Sequence, residues 1–456
     1  MPKGIQKIGF SFDGRGLSHF GGMWLIQTFC KRLGLKKHLQ DHIRLHQKNN
    51  DYHYSEVILA LLYCIIMGLK RINKTEILQY NGAFLLMLGL SKFPEQSTLR
   101  RFLARLGPQD IKQLVRLHDS LRAQLFSLPR KRHSLVFDID SIVLVLYGHQ
   151  QNARIGYNPK KRGRRSYHPI FCFEANNQEF WHGSLRPGDA SASTGIIGFI
   201  KICLAKVPSG IAMSRVRFRM DAGFYGRRVP DFLDEKGCGY VIVAKLYSTV
   251  KARVRACRFK TLANGWQTGE FQAPIRLGFK KIYRFVVIRR SIPMDPIEAK
   301  QLTLFDDKKY VYQIFVTNLK ISPWRVFLFY NPRAAIEKNN RELLYDYPLA
   351  KVPSASWVSN VAFFQLILLA FNIVHWFKRT CLPQEYWTDT LDGIRTDFLN
   401  LPAQIVRSHK NNIIKLPPDY PHQKEFLSAF AKASRLKIPE KFRFCKLTNG
   451  RTVETP

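Results

Sequence analysis

Carboxylates are the scarce group in this chain. Its 456 residues hold 33 Asp and Glu against 72 Lys and Arg, a formal charge of +39. A surplus of that size repels itself, so the sequence implies a polyanionic partner. The eight cysteines, at 30, 64, 172, 203, 238, 257, 381 and 445, include no Cys-x-x-Cys pair and mostly sit in apolar runs. That spacing argues against zinc sites and a disulfide framework. No tandem repeat or low-complexity tract occurs. Lys3 and Lys7 are followed by no apolar stretch, which argues against a secretory signal and for a cytoplasmic location. The longest apolar run, 361–377, nears the roughly 18 residues of a membrane span. Gln365, Asn372 and His375 interrupt it, so a buried helix and no membrane partner are expected. What is present, 46% hydrophobic and 13% aromatic residues, suffices for two or three packed domains and excludes disorder.

Apolar residues recur at helical spacing from 20 to 125, which predicts an all-helical domain over 1–129. Within it, 72–88 reads as a helix ended by Gly89 and 94–106 as a second, capped by Ser97 or Thr98; the pair has the size of a helix-turn-helix. Leu99, Leu103 and Leu106 would face inward. Arg100, Arg101 and Arg105 would be exposed, either as a DNA-reading face or as a solvated basic stripe. After the basic tract 130–133 the pattern becomes β-branched and alternating at 134–146, 166–174 and 180–185. Helix 191–207, strand 215–220, helix 229–236 and strand 240–244 follow, which predicts a mixed α/β sheet over 130–245. Residues 246–309 read as an inserted β subdomain carrying the turn Asn264-Gly265 and closing in a surface loop, 291–307. Strands at 310–318 and 325–330, the helix of Glu337 after Pro332, and a long helix at 356–377 form the second part of this core, 310–380. The segment 381–456 reads as a hairpin plus a helix.

Three acids stand out: Asp140 and Asp221 at the ends of strand-like runs, and Glu337 on a helix. Mg²⁺ takes oxygen ligands and keeps several waters, so a phosphodiester-cutting site needs few protein carboxylates if they converge from separate elements. Two such ions ~3.5–4 Å apart can activate the attacking oxygen and stabilise the leaving one without a general-base side chain. Asp138 and Asp140, two apart in a strand, share a face and compete for the first position. Asp221 precedes Ala222-Gly223, where a turn or capping role is the plain alternative. Glu337 shares a helical face with Arg333 and Arg341, an ion-pair stripe or a carboxylate flanked by phosphate-gripping guanidiniums.

Phe137-Asp-Ile-Asp-Ser141, Met220-Asp-Ala-Gly-Phe-Tyr225 and Tyr330-Asn-Pro-Arg-Ala-Ala-Ile-Glu337 resemble the three catalytic blocks of bacterial insertion-sequence transposases of the DDE, RNase H-like class. The last matches the Tyr-x2-Arg-x3-Glu signature of the branch with a β-strand insertion, most closely the insertion-sequence family thirteen-eighty. The block beginning Gly156-Tyr-Asn-Pro and the block Leu185-Arg-Pro-Gly188 look like the same branch, and the likeness covers about 11–433. The resemblance implies an RNase H-like core with an inserted β subdomain behind a helical DNA-binding domain. It also implies Asp140, Asp221 and Glu337 as ligands of two Mg²⁺ ions, which Mn²⁺ can replace, with Asp138 in reserve for the first. Tyr330 and Arg333 would contact DNA near the cut. The signature usually continues to a Lys seven residues after the Glu, where this chain has Leu344, so Arg341 is the replacement on offer. Ser141 stands where Thr is common.

The segment 154–168 carries Lys160, Lys161, Arg162, Arg164 and Arg165 between Tyr157 and Tyr167. A solvated loop is the ordinary reading of such a run; here phosphate contact is expected, with counterion release and salt-sensitive binding. Trp266 and Arg289 are candidates for holding flanking or flipped DNA, with a core position the equal alternative for Trp266. The expected activity is binding of terminal inverted repeats, hydrolysis to a 3′-hydroxyl and strand transfer to target DNA by a DNA-bound homodimer. A structure-specific nuclease or resolvase on the same fold, or an inactive domesticated DNA-binding protein, are the alternatives.

Overall fold

The structure, a computed structural model, describes residues 10–45, 52–128, 131–158, 161–291, 310–408 and 411–438. The loop read at 291–307, apart from its first residue, and Lys160 lie outside the described residues. The described residues form two compact units, one within 122–341 and the other within 10–121 and 342–438.

The first of these units is built on one nine-stranded sheet. Its strands are β1 (Leu135–Ser141), β2 (Ile170–Glu174), β3 (Glu179–Ser184), β4 (Val216–Met220), β5 (Gly239–Val243), β6 (Lys260–Thr261), β7 (Trp266–Ala273), β8 (Tyr283–Ser291) and β9 (Tyr310–Thr317). They lie in the order β6-β7-β8-β9-β5-β4-β1-β2-β3. β4 runs parallel to both β1 and β5, and the other neighbours are antiparallel. Alternation sorts the side chains onto two buried faces. Phe137, Ile139, Phe218, Tyr240, Ile242, Phe285, Val287, Ile314 and Val316 enter one core with helices Ile196–Ala205 and Arg228–Glu235. Val241, Val286, Ile288 and Phe315 enter the other, under Val326 and Phe327.

Two expectations are corrected here. Among the described residues, 246–291 do not build a separate β subdomain: they begin with a helix, Ser248–Arg255, and β6–β8 continue the central sheet. The reason is register, since β8 pairs with β9 from Arg284↔Thr317 to Ser291↔Tyr310, which leaves β9 no free edge. The turn at Asn264-Gly265 is present, with φ of 58° and 74°. Residues 325–330 are not a strand but part of helix Pro323–Tyr330, because Ser322 Oγ accepts from Arg325 N at the N-cap and Pro323 fits the first turn. The aromatic, β-like composition serves packing instead.

In the other unit, helices Met23–Arg32, Leu35–His42, Tyr54–Met67, Gln96–Arg105 and Pro108–Leu125 as far as Leu121 precede the long helix Trp357–Cys381. Trp357–Cys381 is long and apolar enough to cross a membrane by composition, yet it is the buried core helix of this unit. Phe29 packs on Phe377 and Ser359 Oγ donates to the Leu103 carbonyl. Its N-terminal part is not all-helical, since Leu17–Ser18 pairs with the C-terminal hairpin Ala403–Ser408 and Asn411–Lys415. Residues 72–88 are not one helix either. A 3₁₀ turn, Ile72–Tyr80, stops at Asn81, whose side chain accepts from Phe84 N at 3.2 Å and starts a new helix, Gly82–Leu88. Gly89 ends it at φ 67°, as the sequence predicts.

Candidate active site

β1 and β4 run parallel with Asp138 opposite Arg219 and Ile139 opposite Met220. One step further along that register, Asp140 stands beside Asp221, on the same sheet face as the Asp138 and Arg219 pair. The opposite face sends Phe137, Ile139, Phe218 and Met220 into the core. Periodicity therefore does two tasks at once: odd positions of β1 anchor the strand and even positions build the site.

Asp138 and Asp140 have different surroundings. Asp138 is buried, and both its oxygens accept from Arg219, from Nε at 2.6 Å and Nη2 at 2.7 Å. Arg219 Nη1 reaches the Phe329 carbonyl at 2.8 Å. Asp140 is only partly covered, accepting from Arg333 Nη2 at 3.1 Å and from Asn340 Nδ2 at 2.7 Å. Burial pushes its carboxyl up to about 6; Arg333 pulls it down and the nearby Asp221 charge raises it again. Asp221 Oδ1 accepts from Gly223 N at 2.9 Å, so this residue caps the turn Ala222–Phe224 while standing at the end of β4.

The signature around Glu337 divides. Arg333 is buried, donates to the Ile139 carbonyl as well as to Asp140, and keeps its Nε without a partner. It thereby orients the Asp140 carboxylate. Tyr330 is half-buried against Phe315, and burial pushes its phenol up to about 12. Glu337 is exposed, on helix Ala335–Tyr345, four residues after Arg333 and three before Asn340. It thus lies on the stripe whose two neighbours hold Asp140. Among the described residues no three acidic, His or Cys side chains are gathered closely enough to hold a metal. Arg341 is exposed on the same helix and Leu344 is half-buried.

The remaining candidates are dispersed. Arg100, Arg101 and Arg105 are exposed on Gln96–Arg105, over buried Leu99 and Leu103, although Arg100 donates to the Pro353 carbonyl at 2.9 Å. Lys161, Arg162, Arg164 and Arg165 are exposed beside a small sheet of residues 144–145, 165–167 and 154–155. Tyr167 is buried there. That hairpin is held by close backbone approach, since a Cβ on Gly156 would lie 2.0 Å from the Gly188 carbonyl oxygen. Trp266 is half-buried between Trp324 and Phe327, and Arg289 is stacked at 3.7 Å on Phe259 and 4.1 Å on Tyr310. Trp266 packs against the second core, while the partners of Arg289 pack against the first.

Sequence reasoning missed Arg219 and Asn340. An arginine at the register position opposite Asp138 was a signal only once strand pairing was known. Asn340 could have been found as the i+7 partner of Arg333. His168 was missed as well: its Nδ1 faces the Ala190 carbonyl and its Nε2 lies 3.1 Å from Ser141 Oγ, beside Asp140 in the chain. Burial lowers its pKa, so the neutral ring donates through Nδ1 and accepts the serine hydroxyl.

A family model described as "Transposase DDE domain group 1" matches residues 2–438. The chain belongs to this transposase family. Among solved structures, the transposase is similar to the chain in "Cryo-EM structure of piggyBac transposase synaptic complex with hairpin DNA", with a TM-score of 0.42 and 11% identity. That likeness covers 79% of this chain and 76% of the other. No curated protein sequence matches the transposase significantly.

Proposed function

We propose that this transposase binds the terminal inverted repeats of a bacterial insertion sequence, cuts the phosphodiester at each end and transfers the 3′-hydroxyl to target DNA. The observation that carries the reading is Asp140 beside Asp221 at the ends of two parallel strands, with Arg333 and Asn340 holding the first of them. The succession β3-β2-β1-β4-β5, three antiparallel strands and then two parallel ones, supports an RNase H-like core.

The donor set fits a hard divalent cation. The Asp221 charge raises the pKa of Asp140, a repulsion relieved when a cation sits between them, and the buried Oδ1 of Asn340 has no hydrogen-bond partner. Asp140, Asp221 and Glu337 are the proposed ligands, for Mg²⁺ or Mn²⁺. Bound there, two such ions would supply Lewis-acid activation of the attacking oxygen and charge relief at the leaving oxygen. Arg333 fixes the orientation of Asp140, Arg219 keeps Asp138 out of competition, and Tyr330 lies within electrostatic reach of all three aspartates. The exposed cations of Gln96–Arg105 and of the 161–165 turn would take DNA phosphates, with Arg341 beside the cut. Engaging two ends implies a homodimer on DNA, in the cytoplasm.

The test is cleavage of a labelled duplex carrying the element's own end, with Mg²⁺, by wild type, Asp221→Asn and Glu337→Gln. Wild type should nick at the end and both variants should lose activity by at least about a hundredfold. Undiminished cutting by both variants would remove the site assignment; no end-specific binding or cutting by wild type would remove the transposition reading.

A further inference from the structure

We propose that the first turn of helix Ile196–Ala205, with the loop 191–194 before it and the Arg186 guanidinium behind that loop, binds a backbone phosphate of the DNA beside the bond being cut. This rests on the DNA-transposition reading and deepens it by giving one phosphate a place. Arg186 carries the argument. It is only 9% exposed, and its hydrogen bonds go to carbonyls: Nε donates to His168 O at 2.9 Å, and Nη1 to Thr194 O at 2.9 Å and Ala192 O at 3.3 Å. Nη2 has no partner. Among the described residues no carboxylate forms an ion pair with this guanidinium; the nearby Asp189 bonds Arg154 instead, at 2.9 Å. Burial pushes the pKa of Arg186 down to about 10, so it stays a cation at neutral pH. A buried charge is costly unless an opposite charge meets it, and here the protein supplies none.

The loop that the guanidinium grips leads into a helix start with unused donors. Gly195, at φ 68°, is the N-cap of Ile196–Ala205, and no side chain caps that end. Ile196 N turns back to the Ser193 carbonyl at 3.3 Å, which leaves the amides of Ile197 and Gly198 without an intrahelical acceptor, where the helix dipole adds positive potential. Around Gly195 and Gly198 no other segment comes within 4 Å of where a Cβ would stand, so a ligand can approach the backbone closely. Ser191, Ser193 and Thr194 are exposed in the same loop and add hydroxyl donors. Ala192 fixes where this cradle lies. A Cβ on Gly223 would stand 3.0 Å from that of Ala192, and Gly223 N is the donor that holds Asp221 Oδ1. The loop therefore abuts the turn of a proposed metal ligand, and a phosphate seated on it belongs to a nucleotide flanking the cut. Amides, hydroxyls and a charge behind them suit a diester phosphate and read no sequence.

The experiment uses the full chain without metal, so that probes stay intact, and the element's end as a duplex in which one phosphate at a time near the cut is replaced by an uncharged methylphosphonate. One of these replacements should weaken wild-type binding by about tenfold, the loss of hydrogen bonds to a charged group. Ser193→Asp places a carboxylate in the exposed loop, where it should weaken binding of the unmodified duplex and remove the penalty of that one methylphosphonate. Ser193→Asn, of the same size without the charge, should keep the wild-type profile. Arg186→Gln retains amide donors for the carbonyls and should also remove the penalty; where it fails to fold, the Ser193 pair decides alone. A methylphosphonate profile that is the same in wild type and Ser193→Asp overturns the phosphate site and leaves the transposase reading intact. Failure of the wild type to bind the element's end overturns both.

Discussion

Arg219 grips Asp138 through two parallel hydrogen bonds, Nε to Oδ1 at 2.6 Å and Nη2 to Oδ2 at 2.7 Å, inside the sheet. A carboxylate so engaged has little left for a cation, whereas Asp140, two residues on, shares its oxygens with an amide and a single guanidinium nitrogen.

Asp138→Ala should therefore act on stability. It strands a buried guanidinium, at a cost of about 3–5 kcal/mol, and should lower the melting temperature sharply. Asp140→Ala should leave melting much closer to wild type and abolish Mn²⁺ binding. Equal melting temperatures for the two variants would contradict this division of labour.

Metal affinity should depend on pH through Asp140. Its carboxyl is pushed up to about 6 from 3.8, so between those values the folded chain holds a proton that the unfolded chain releases. Metal-free stability consequently falls as pH rises from about 4 to about 6, being fully present below the unfolded value. Mn²⁺ competes with the same proton, so its affinity should rise by about tenfold per pH unit below 6 and level off above it. Calorimetric titration across pH 5 to 8 reads this directly.

Asn340→Ala should weaken Mn²⁺ binding and reduce cleavage by about tenfold, the loss of one hydrogen bond to a charged group. Asn340→Asp adds a carboxylate next to Asp140 and should move the pH midpoint of Mn²⁺ binding upward. An unmoved midpoint would show that Asn340 and Asp140 are not in contact in solution.

Gly188→Ala would place a Cβ 2.2 Å from the carbonyl oxygens of both Arg154 and Ser166. Backbone has to give way, so the basic hairpin should loosen. Limited proteolysis between 144 and 190 should speed up, and DNA affinity should fall with a shallower salt slope.

Much of this was legible from patterning. The alternation at β1 and β8, the Gly89 stop and the Asn264-Gly265 turn are local signals, and local signals survive into the fold. Pairing is not local. Whether 246–309 closes on itself or extends the sheet depends on which edge β8 meets, and no residue within the segment records that. Helix Pro323–Tyr330 was hidden by a run of aromatics that reads as a strand until Ser322-Pro323 is weighed as a start. The contrast between Asp138 and Asp140 likewise lay with a partner 81 residues away, Arg219.

The unit formed by 10–121 and 342–438 has a consequence for the order of synthesis. Helix Tyr54–Met67 and helix Gln96–Arg105 pack on Trp357–Cys381, and Arg100 is tied to the Pro353 carbonyl. The ribosome must deliver every residue of the intervening sheet before those partners emerge. The helices that open the chain thus wait with apolar faces uncovered while the later-made sheet can already close on itself. A chain released early, short of residue 357, would carry an intact pair of strand-end aspartates and an arginine helix with nothing to dock on.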